Sequence, residues 1–591
     1  MSVLEALKTA RAAWPILKRA IISGQLFRPQ CTLIEPDPDI RCDVDVQVPI
    51  GGGVVLTANV FRSKARADAG TADPVIMCAH PYDNHLTPAL GKTPLGGPPQ
   101  QYRLIPQAGG TPEFSTLTSW ESPDPNFWVP AGYTLVNLNL PGYANSGGDA
   151  GFVSDRQGED YYAAIKWVGG ETWCDGNIGL SGVSYLAISQ YHAAVAAAAD
   201  GAASPLKCIS PWEGMSDPYR DVICRGGVED RGFLNFWWHT EVKESLNNPV
   251  DEFADREGAL PPDILAVHPL YDDYWAAKAV DFSKVVTPLL VCASFSDHEL
   301  HTNGSFRAFE KSKADRKWVY THRTGKWTAF YSDEVKALLK DFMDHHLKGV
   351  SNRFDTLPPV RLEVRSGRDQ VKDVRWEQTW PLPTTDYRPL YLASRGLVAE
   401  KPGDAASRTY PGRAGSAEFD VTFDQDTEIS GYMKLRVWVE VRAEGRNGAA
   451  PDDMTVCAFV DKRDAHGHSV RFNGAVGITD DIVTRGYMRA SRRALDPDRS
   501  TDWHPVPLGN SEELLAAGEI VPLEIALSPS STFFAAGERL RLIVSASEFV
   551  GAPVFHKDTR LNSGTHVLHF GGPYDAHLLV PIVPSNEMPS S

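Results

Sequence analysis

The fold is decided by a short stretch in the first third of the chain, GLSGVSYLAISQYHAAVAAAA, residues 179–199. A short apolar strand ends at Ser184, and a helix of small residues begins at once. This order is the context of a nucleophile elbow, in which a sharp turn holds a serine at the edge of a parallel sheet. Gly182 gives the turn the room that it needs, although Leu186 stands where such elbows more commonly have glycine. Ser184 is therefore the predicted nucleophile.

Two other serines follow a glycine at the same spacing. They are Ser351, in Gly349-Val-Ser, and Ser511, in Gly509-Asn-Ser. Neither of them follows a strand and begins a helix, so the context favours Ser184. A buried turn serine without a catalytic role is the plain alternative for Ser184.

A serine nucleophile needs a base and an acid that orients the base. In hydrolases with this elbow the chain order is serine, acid, histidine, and each residue lies in a loop after a strand. The predicted strand at 288–294 leads to Asp297, which we predict to be the acid. Glu299 is the competing carboxylate, and a helix-capping role is the structural alternative for Asp297.

The predicted base is His322, because it ends the next predicted strand, at 317–321. Between Asp297 and the end of the predicted catalytic region, near residue 352, histidines lie at positions 298, 301, 322, 345 and 346. His298 and His301 belong to the loop of the acid, and the last two lie within a predicted helix at 332–348. A structural histidine is the alternative for His322, as it is for His80.

The developing oxyanion needs hydrogen-bond donors. The backbone N–H of Tyr185, directly after the nucleophile, is the first predicted donor. The second should come from the loop after the predicted strand at 75–79, which continues as His80-Pro81-Tyr82 without glycine-rich sequence. The hydroxyl of Tyr82 is the candidate, and from the residues alone plain packing of its ring is equally expected.

The hydrophobic pattern changes along the chain. From about 41 to 352, short apolar strands alternate with helices, which is typical of a parallel sheet covered by helices. After about 355 the alternation has a period of two, which predicts a β-sandwich or jelly roll. The predicted organisation is therefore an N-terminal helical arm at 1–40, a catalytic domain at 41–212 and 283–352, a helical cap at 213–282 and a jelly roll at 355–591.

Aromatic residues concentrate at the start of the predicted cap. The residues that we expect to line an acyl pocket there are Trp212, Phe233 and Trp237, with Phe236 and Trp238 beside them. Core packing is an equally good interpretation for any one of them.

Composition excludes several classes of function. The 58 basic and 75 acidic residues give a formal net charge of −17, which argues against a nucleic-acid partner. No run of 18 apolar residues is present, so we expect no membrane span. Eight cysteines without a C-x-x-C motif favour a reduced compartment, and we predict a cytoplasmic protein. Metal-ligand spacing is absent, so we expect neither a metal nor another cofactor; a homo-oligomer is left open.

Several motifs together resemble one family of α/β-hydrolases. They are Pro81-Tyr82-Asp83, Gly182-Val-Ser184-Tyr185-Leu186, Asp272-Asp-Tyr-Trp275, Ser296-Asp297 and FAAGERLRL at 534–542. From about 41 to 582 the chain is similar in domain order to the cocaine esterase / X-Pro dipeptidyl-peptidase family, which includes α-amino-acid ester hydrolases and glutaryl acylases. The resemblance implies an α/β-hydrolase with a helical cap and a C-terminal jelly roll of the galactose-binding-like type, and a tyrosine at position 82 that completes the oxyanion hole.

The predicted function is a serine hydrolase that cleaves an ester or amide of a small, largely hydrophobic substrate through an acyl-enzyme. One rival is an X-Pro dipeptidyl aminopeptidase or α-amino-acid ester hydrolase, in which Glu299 would bind the substrate ammonium. Leu300 interrupts the paired-acid pattern of relatives that act on amino substrates, so this rival stays second. A non-catalytic binding protein that uses its jelly roll is the distant alternative.

Overall fold

A computed structural model describes residues 30–87, 108–247, 264–444, 450–476, 480–550 and 554–584, with isolated positions at 11, 14, 17, 18, 21, 22, 102, 105 and 478. Most of residues 1–29 of the predicted N-terminal arm lie outside the described residues. Residues 88–101, in the Pro/Gly-rich segment, and 248–263 of the predicted cap also lie outside them. Within the described part, none of the helices has the length and apolar character needed to span a membrane.

A mixed sheet forms the first half of the molecule. In spatial order its strands are β2 (Ile40–Gly51), β3 (Val54–Ser63), β6 (Thr134–Asn139), β4 (Asp73–His80), β7 (Cys174–Val183), β8 (Leu206–Trp212), β11 (Leu289–Ser294), β12 (Lys317–His322), β13 (Val360–Arg365) and β14 (Val371–Glu377). In this spatial order, neighbouring strands from β6 through to β13 run parallel. The pairs β2–β3 and β3–β6 at one end of the sheet, and β13–β14 at the other, are antiparallel. Two short strands, β1 (Thr32–Ile34) and β5 (Glu113–Ser115), pair separately.

The central strands are apolar on both sides because helices cover both faces of the sheet. Every residue of β4, β6 and β11 is buried. Within the described ranges the α-helices are α1 (Lys64–Asp68), α2 (Pro125–Trp128), α3 (Asp155–Gly169), α4 (Tyr185–Ala197), α5 (Phe233–Trp237), α6 (Asp273–Ala276), α7 (Thr302–Lys311), α8 (Lys326–Phe330) and α9 (Asp333–Lys348). Parallel order brings the carboxyl ends of β7, β8, β11 and β12 to one edge of the sheet, and this edge carries the site described below.

The chain between β8 and β11 leaves the sheet and passes over this edge. It contains α5, α6 and a small hairpin of β9 (Cys224–Arg225) and β10 (Val228–Glu229). Phe236 and Trp237 of α5 are buried, so the aromatic run faces the protein and not solvent. The predicted cap boundaries, 213 and 282, stay predictions.

The C-terminal part consists of strands in two facing sheets. The first sheet contains β15 (Asp386–Ala393), β16 (Gly396–Val398), β17 (Ala406–Pro411), β19 (Thr427–Gly431), β20 (Lys434–Arg442), β24 (Val521–Ala526), β25 (Ser530–Phe534), β27 (Thr565–Phe570) and β28 (His577–Val583). The second contains β18 (Ser416–Thr422), β21 (Thr455–Arg463), β22 (Ser469–Val470), β23 (Thr484–Arg489) and β26 (Arg539–Ser545).

One apolar core joins the two sheets. Leu435 and Val437 of β20 share this core with Leu540 and Leu542 of β26. The predicted alternation in β20 is confirmed from Leu435 to Val439, because Arg436 and Trp438 are only partly buried, whereas Glu440 is buried. Alternate residues of a strand point to opposite faces of its sheet, so this pattern buries one face of each sheet. The jelly-roll topology itself stays a prediction.

Candidate active site

Ser184 lies in the tight turn between β7 and α4. Its backbone has φ 60° and ψ −116°, a strained conformation that residues other than glycine rarely adopt. A side chain at Gly182 would place its Cβ 2.6 Å from the Cβ of Leu186, so the turn requires glycine there. The Ser184 N–H donates to the carbonyl of Trp212 at 3.0 Å, which ties the turn to the end of β8. The turn thus holds the hydroxyl at the edge of the sheet.

His301 is the histidine that reaches this serine. Its Nε2 lies 3.2 Å from Ser184 Oγ, and its Nδ1 lies 2.5 Å from Asp297 Oδ2. Asp297 follows β11, and His301 directly precedes α7, so one tight turn presents both side chains. All three residues therefore form a serine–histidine–carboxylate chain.

The hydrogen bonds of His322 go to residues other than Ser184, which differs from the predicted geometry. The Nε2 of His322 lies 2.9 Å from Oε1 of Glu213, and its Nδ1 lies 3.2 Å from the hydroxyl of Thr324. Glu213 directly follows β8, the strand that lies between β7 and β11. Its carboxylate thus engages the His322 ring at the end of β12, while His301 contacts the serine.

Buried charges surround the His301–Asp297 pair. Burial and the nearby Lys326 ammonium lower the pKa of His301 below its ordinary value, although Asp297 opposes this shift. Burial by itself would raise the pKa of Asp297, but His301 and Lys326 hold it below the usual range. The Lys326 Nζ lies 3.8 Å from Asp297 Oδ2. These shifts favour a neutral imidazole beside an ionised carboxylate, which is the resting state that a general base needs.

Tyr82 lies in the loop after β4, beside the serine. Trp237 Nε1 donates to its hydroxyl oxygen at 3.1 Å, which leaves the hydroxyl proton available for another acceptor. The Tyr82 N–H donates to Nδ1 of His80 at 3.2 Å, and the Ser245 hydroxyl donates to the carbonyl of Pro81 at 2.5 Å. Contacts on both sides of Tyr82 therefore fix this loop.

A cavity of about 340 Å³ opens at Ser184. Its lining residues are Tyr82, Ile105, Trp120, Glu121, Ser184, Phe233, Phe236, Trp237, Glu241, Leu300, Lys326, Trp327 and Val476. The predicted pocket residues Phe233 and Trp237 belong to this set. Trp212 does not, because it is fully buried and its ring stacks on His322 with centroids 5.9 Å apart. Trp212 therefore packs the core below the site, contrary to the prediction.

Glu299 lies away from the cavity, contrary to its predicted role in substrate binding. Its Oε1 accepts hydrogen bonds from Arg485 at 3.0 Å and from the Tyr487 hydroxyl at 2.5 Å. Lys557 lies 3.3 Å from its other oxygen. Burial alone would raise the pKa of Glu299, but Lys557, Arg485 and Arg225 hold it well below the usual range. Glu299 thus anchors the catalytic part of the chain to the C-terminal sheets, and it is not available to a substrate ammonium.

Among the residues that the structure describes, two groups of side chains have the atom types of metal ligands. They are Glu213, Asp297 and His301, and Glu213, Cys292 and His322, and within each group the ligand atoms lie within 4.8 Å of one another. The His301–Asp297 and His322–Glu213 hydrogen bonds already join the nitrogen and oxygen donors in pairs. Two hydrogen-bonded histidine–carboxylate pairs at one edge of the sheet therefore explain why these side chains lie close together.

The sequence analysis did not assign His301, Glu213, Glu121 or Lys326 to the site around Ser184. For His301 a signal was present, because Asp297 and His301 are four residues apart, a spacing that brings side chains together in a helical turn. Glu213 and Glu121 carried no such signal, since their partners lie far away in the sequence.

Comparisons with known proteins find relatives that match both halves of the chain. The model of the X-Pro dipeptidyl-peptidase (S15 family) matches residues 52–328, and that of the X-Pro dipeptidyl-peptidase C-terminal non-catalytic domain matches residues 352–579. The cocaine esterase of Rhodococcus sp. (strain MB1 Bresler) is 24% identical, with 91% of this chain and 98% of that protein covered.

Two solved structures extend the comparison. A CocE/NonD family hydrolase from Staphylococcus aureus is 32% identical and has a TM-score of 0.81, with 95% of this chain and 100% of that chain covered. An α-amino acid ester hydrolase, at 14% identity and a TM-score of 0.65, covers 93% of this chain and 98% of its own, a likeness of fold.

The sheet, the serine turn and these matches together define a serine hydrolase with the α/β-hydrolase fold. The predicted α/β-hydrolase fold with a C-terminal β domain and the resemblance noted in the sequence are confirmed, and the jelly roll stays a prediction. The chain belongs to the CocE/NonD family of hydrolases, in which a catalytic part is followed by a C-terminal β domain.

Proposed function

We propose that this protein hydrolyses carboxylic esters of small, largely hydrophobic compounds through an acyl-enzyme, with Ser184, His301 and Asp297 as its catalytic triad. The observation that carries the proposal is the hydrogen-bond chain from Ser184 Oγ through His301 to Asp297 Oδ2, with distances of 3.2 and 2.5 Å. The aromatic lining of the cavity at Ser184 supports a small apolar substrate.

The proposed reaction proceeds in two transfers. His301 Nε2 takes the hydroxyl proton as Ser184 Oγ attacks the ester carbonyl, and the Tyr82 hydroxyl and the Tyr185 N–H bind the resulting oxyanion. The tetrahedral intermediate then expels the alcohol, which takes the proton from His301, and leaves the acyl-enzyme. In the second transfer His301 takes a proton from a water molecule, which attacks the acyl-enzyme carbonyl. The carboxylic acid is released, and the proton passes from His301 to Ser184 Oγ. Asp297 stays ionised and stabilises the imidazolium in both transfers.

The direct test combines active-site labelling with a substrate series. We expect a fluorophosphonate probe to label Ser184, as located by peptide mass spectrometry. We expect 4-nitrophenyl esters of increasing acyl length to be hydrolysed, with a maximum at short to medium chains because the cavity is small. An unlabelled serine together with no hydrolysis of any ester would refute the proposal.

The activity should depend on pH through His301. The imidazole must be neutral to accept a proton, and its pKa lies below the ordinary value of 6.5. On an uncharged ester, kcat/KM should therefore rise with pH and reach half of its plateau below 6.5. A pH profile of kcat/KM checks this expectation. A half-maximal point well above 6.5 would contradict it.

Tyr82→Phe should lower kcat by roughly 10²–10³-fold, or about 2.7–4 kcal/mol, because one oxyanion donor is removed. The substitution keeps the ring, so KM should change little, whereas the thermal unfolding temperature should fall modestly because the Trp237 N–H loses its acceptor. Steady-state kinetics on one ester measure kcat and KM of the parent and the variant, and a melting curve gives their unfolding temperatures. An increase in KM at an unchanged kcat would make Tyr82 a residue of ground-state binding instead.

A further inference from the structure

Glu121 is a buried acid on the wall of the catalytic cavity. Only 2% of the residue is exposed, and its Oε1 accepts a hydrogen bond from Trp327 Nε1 at 2.8 Å. The other oxygen, Oε2, is buried and has no hydrogen-bond partner among the described residues. A buried acceptor without a partner is costly, so a ligand that donates to it is favoured.

The position of Glu121 is fixed relative to the nucleophile. Its carbonyl accepts a hydrogen bond from the N–H of Val183 at 3.2 Å, one residue before Ser184. Its φ is 62°, a left-handed conformation that is uncommon for a residue with a side chain. Strained backbone of this kind persists where the surrounding contacts impose it, and it occurs often at ligand sites.

The charge beside Glu121 selects the kind of donor. The ammonium of Lys326 lies 4.0 Å from Glu121 Oε1 and 3.8 Å from Asp297 Oδ2, and it lines the same cavity. A substrate ammonium placed against Glu121 would therefore meet a like charge at close range. A hydroxyl or an amide N–H donates equally well without that repulsion.

We propose that Glu121 is a specificity residue that binds a neutral hydrogen-bond donor, a hydroxyl or an amide N–H, on the substrate ester. The inference rests on the proposed esterase function and narrows its substrates to compounds that carry such a group near the scissile bond. The other charged residues of the cavity wall are Glu241 and Lys326, and most of the remaining wall is aromatic or aliphatic. A hydroxyl or amide N–H that reaches Glu121 is therefore the polar substrate feature that this wall selects.

Matched esters test the proposal on the unaltered enzyme. One pair is 4-nitrophenyl 3-hydroxybutyrate and its methyl ether, and the other is 2-hydroxyethyl butyrate and 2-methoxyethyl butyrate. Methylation removes the donor and keeps the oxygen as an acceptor. We expect kcat/KM to favour the hydroxyl compound about tenfold or more in at least one pair. Ratios near one in both pairs, with normal hydrolysis of 4-nitrophenyl butyrate, would overturn the inference and leave the esterase function standing.

Two variants connect the preference to Glu121. In Glu121→Gln the amide oxygen can still accept from Trp327, while the amide nitrogen replaces the free acceptor with a donor. In Glu121→Met the position neither donates nor accepts strongly. The hydroxyl-to-ether ratio should fall to about one in both variants, whereas an unchanged ratio in both would overturn the inference. Because each ratio is internal to one enzyme, a general loss of rate does not obscure it.

Glu310→Gln is the matched control. Glu310 is also a buried acid with a pKa raised by burial to about 7, as in Glu121, but it bonds to the hydroxyl of Tyr432 outside the cavity. The hydroxyl preference should persist in this variant. Assays at about pH 8 keep Glu121 ionised. The charged and titratable groups around it are Lys326, Glu213, Asp297, Tyr82, Tyr102 and Tyr331, with Glu241 close to Lys326 and Tyr82.

A separate pair of esters tests whether the site prefers a neutral donor to a substrate ammonium. On the unaltered enzyme, the 4-nitrophenyl ester of N-acetyl-β-alanine should be hydrolysed faster than that of β-alanine, because its N–H is a neutral donor. A preference for the free amine would overturn the neutral-donor inference. Loss of hydrolysis for every ester, the simple butyrate included, would instead refute the proposed function.

Discussion

Ser184→Ala is expected to lower kcat by roughly 10⁶-fold on any ester that the enzyme hydrolyses, while the fold remains intact. The substitution removes the oxygen that forms the acyl-enzyme, and the cavity and oxyanion donors cannot replace it. Melting curves should change little, because the strained backbone at this position keeps its hydrogen bond to Trp212. Labelling by the fluorophosphonate probe should disappear with the activity.

Ser351→Ala is the matched control for this prediction. Ser351 follows a glycine at the same spacing, but it lies just after α9, where its hydroxyl donates to Asp355 at 2.6 Å. The variant should keep both labelling and turnover. Full activity in a well-folded Ser184→Ala enzyme would remove the nucleophile from the proposed mechanism.

His301→Ala is the second large effect, with an expected loss of roughly 10⁴–10⁶-fold in kcat. Without His301, no group within hydrogen-bond distance in the described site accepts the proton of Ser184. Imidazole added to the assay should restore part of the activity, because it can enter the space left by the side chain. Single-turnover kinetics would show that the lost step is acylation.

His322→Gln is the comparison that separates the two histidines. A glutamine amide can still donate to Glu213, so the buried carboxylate keeps a partner. We expect kcat within about tenfold of the parent, with a lower melting temperature as the main consequence. The reverse outcome, an active His301→Ala and an inactive His322→Gln, would show that His322, at the end of β12, is the general base.

The sequence predicted those parts of the site that depend on local order. The strand, glycine and helix around Ser184 lie within a few residues of one another, so their pattern predicts the turn. Asp297 could be selected because it directly follows an apolar strand of the parallel sheet. The alternation in β20 predicted a strand with one buried face for the same reason, since a period of two depends on backbone geometry alone.

The same reasoning failed where a residue was chosen by its place in the chain. His322 follows a strand as the usual order requires, but Glu213, more than 100 residues earlier, binds its imidazole. Glu299 lies two residues from Asp297, and Arg485 and Lys557 of the C-terminal part bind it. In each case the partner is distant in the sequence and adjacent in space.

By itself, the sequence determined the class of fold and predicted the proposed nucleophile, Ser184, and the proposed carboxylate, Asp297, because each depends on strand and turn patterns within a short window. Only the tertiary structure decided that His301 reaches Ser184, that His322 binds Glu213, and that Glu121 keeps a free oxygen in the cavity. These outcomes depend on which strand ends are neighbours in the sheet and on how far each side chain extends across them. Hydrogen bonds act over about 3 Å, so they are fixed by spatial position and not by order along the chain.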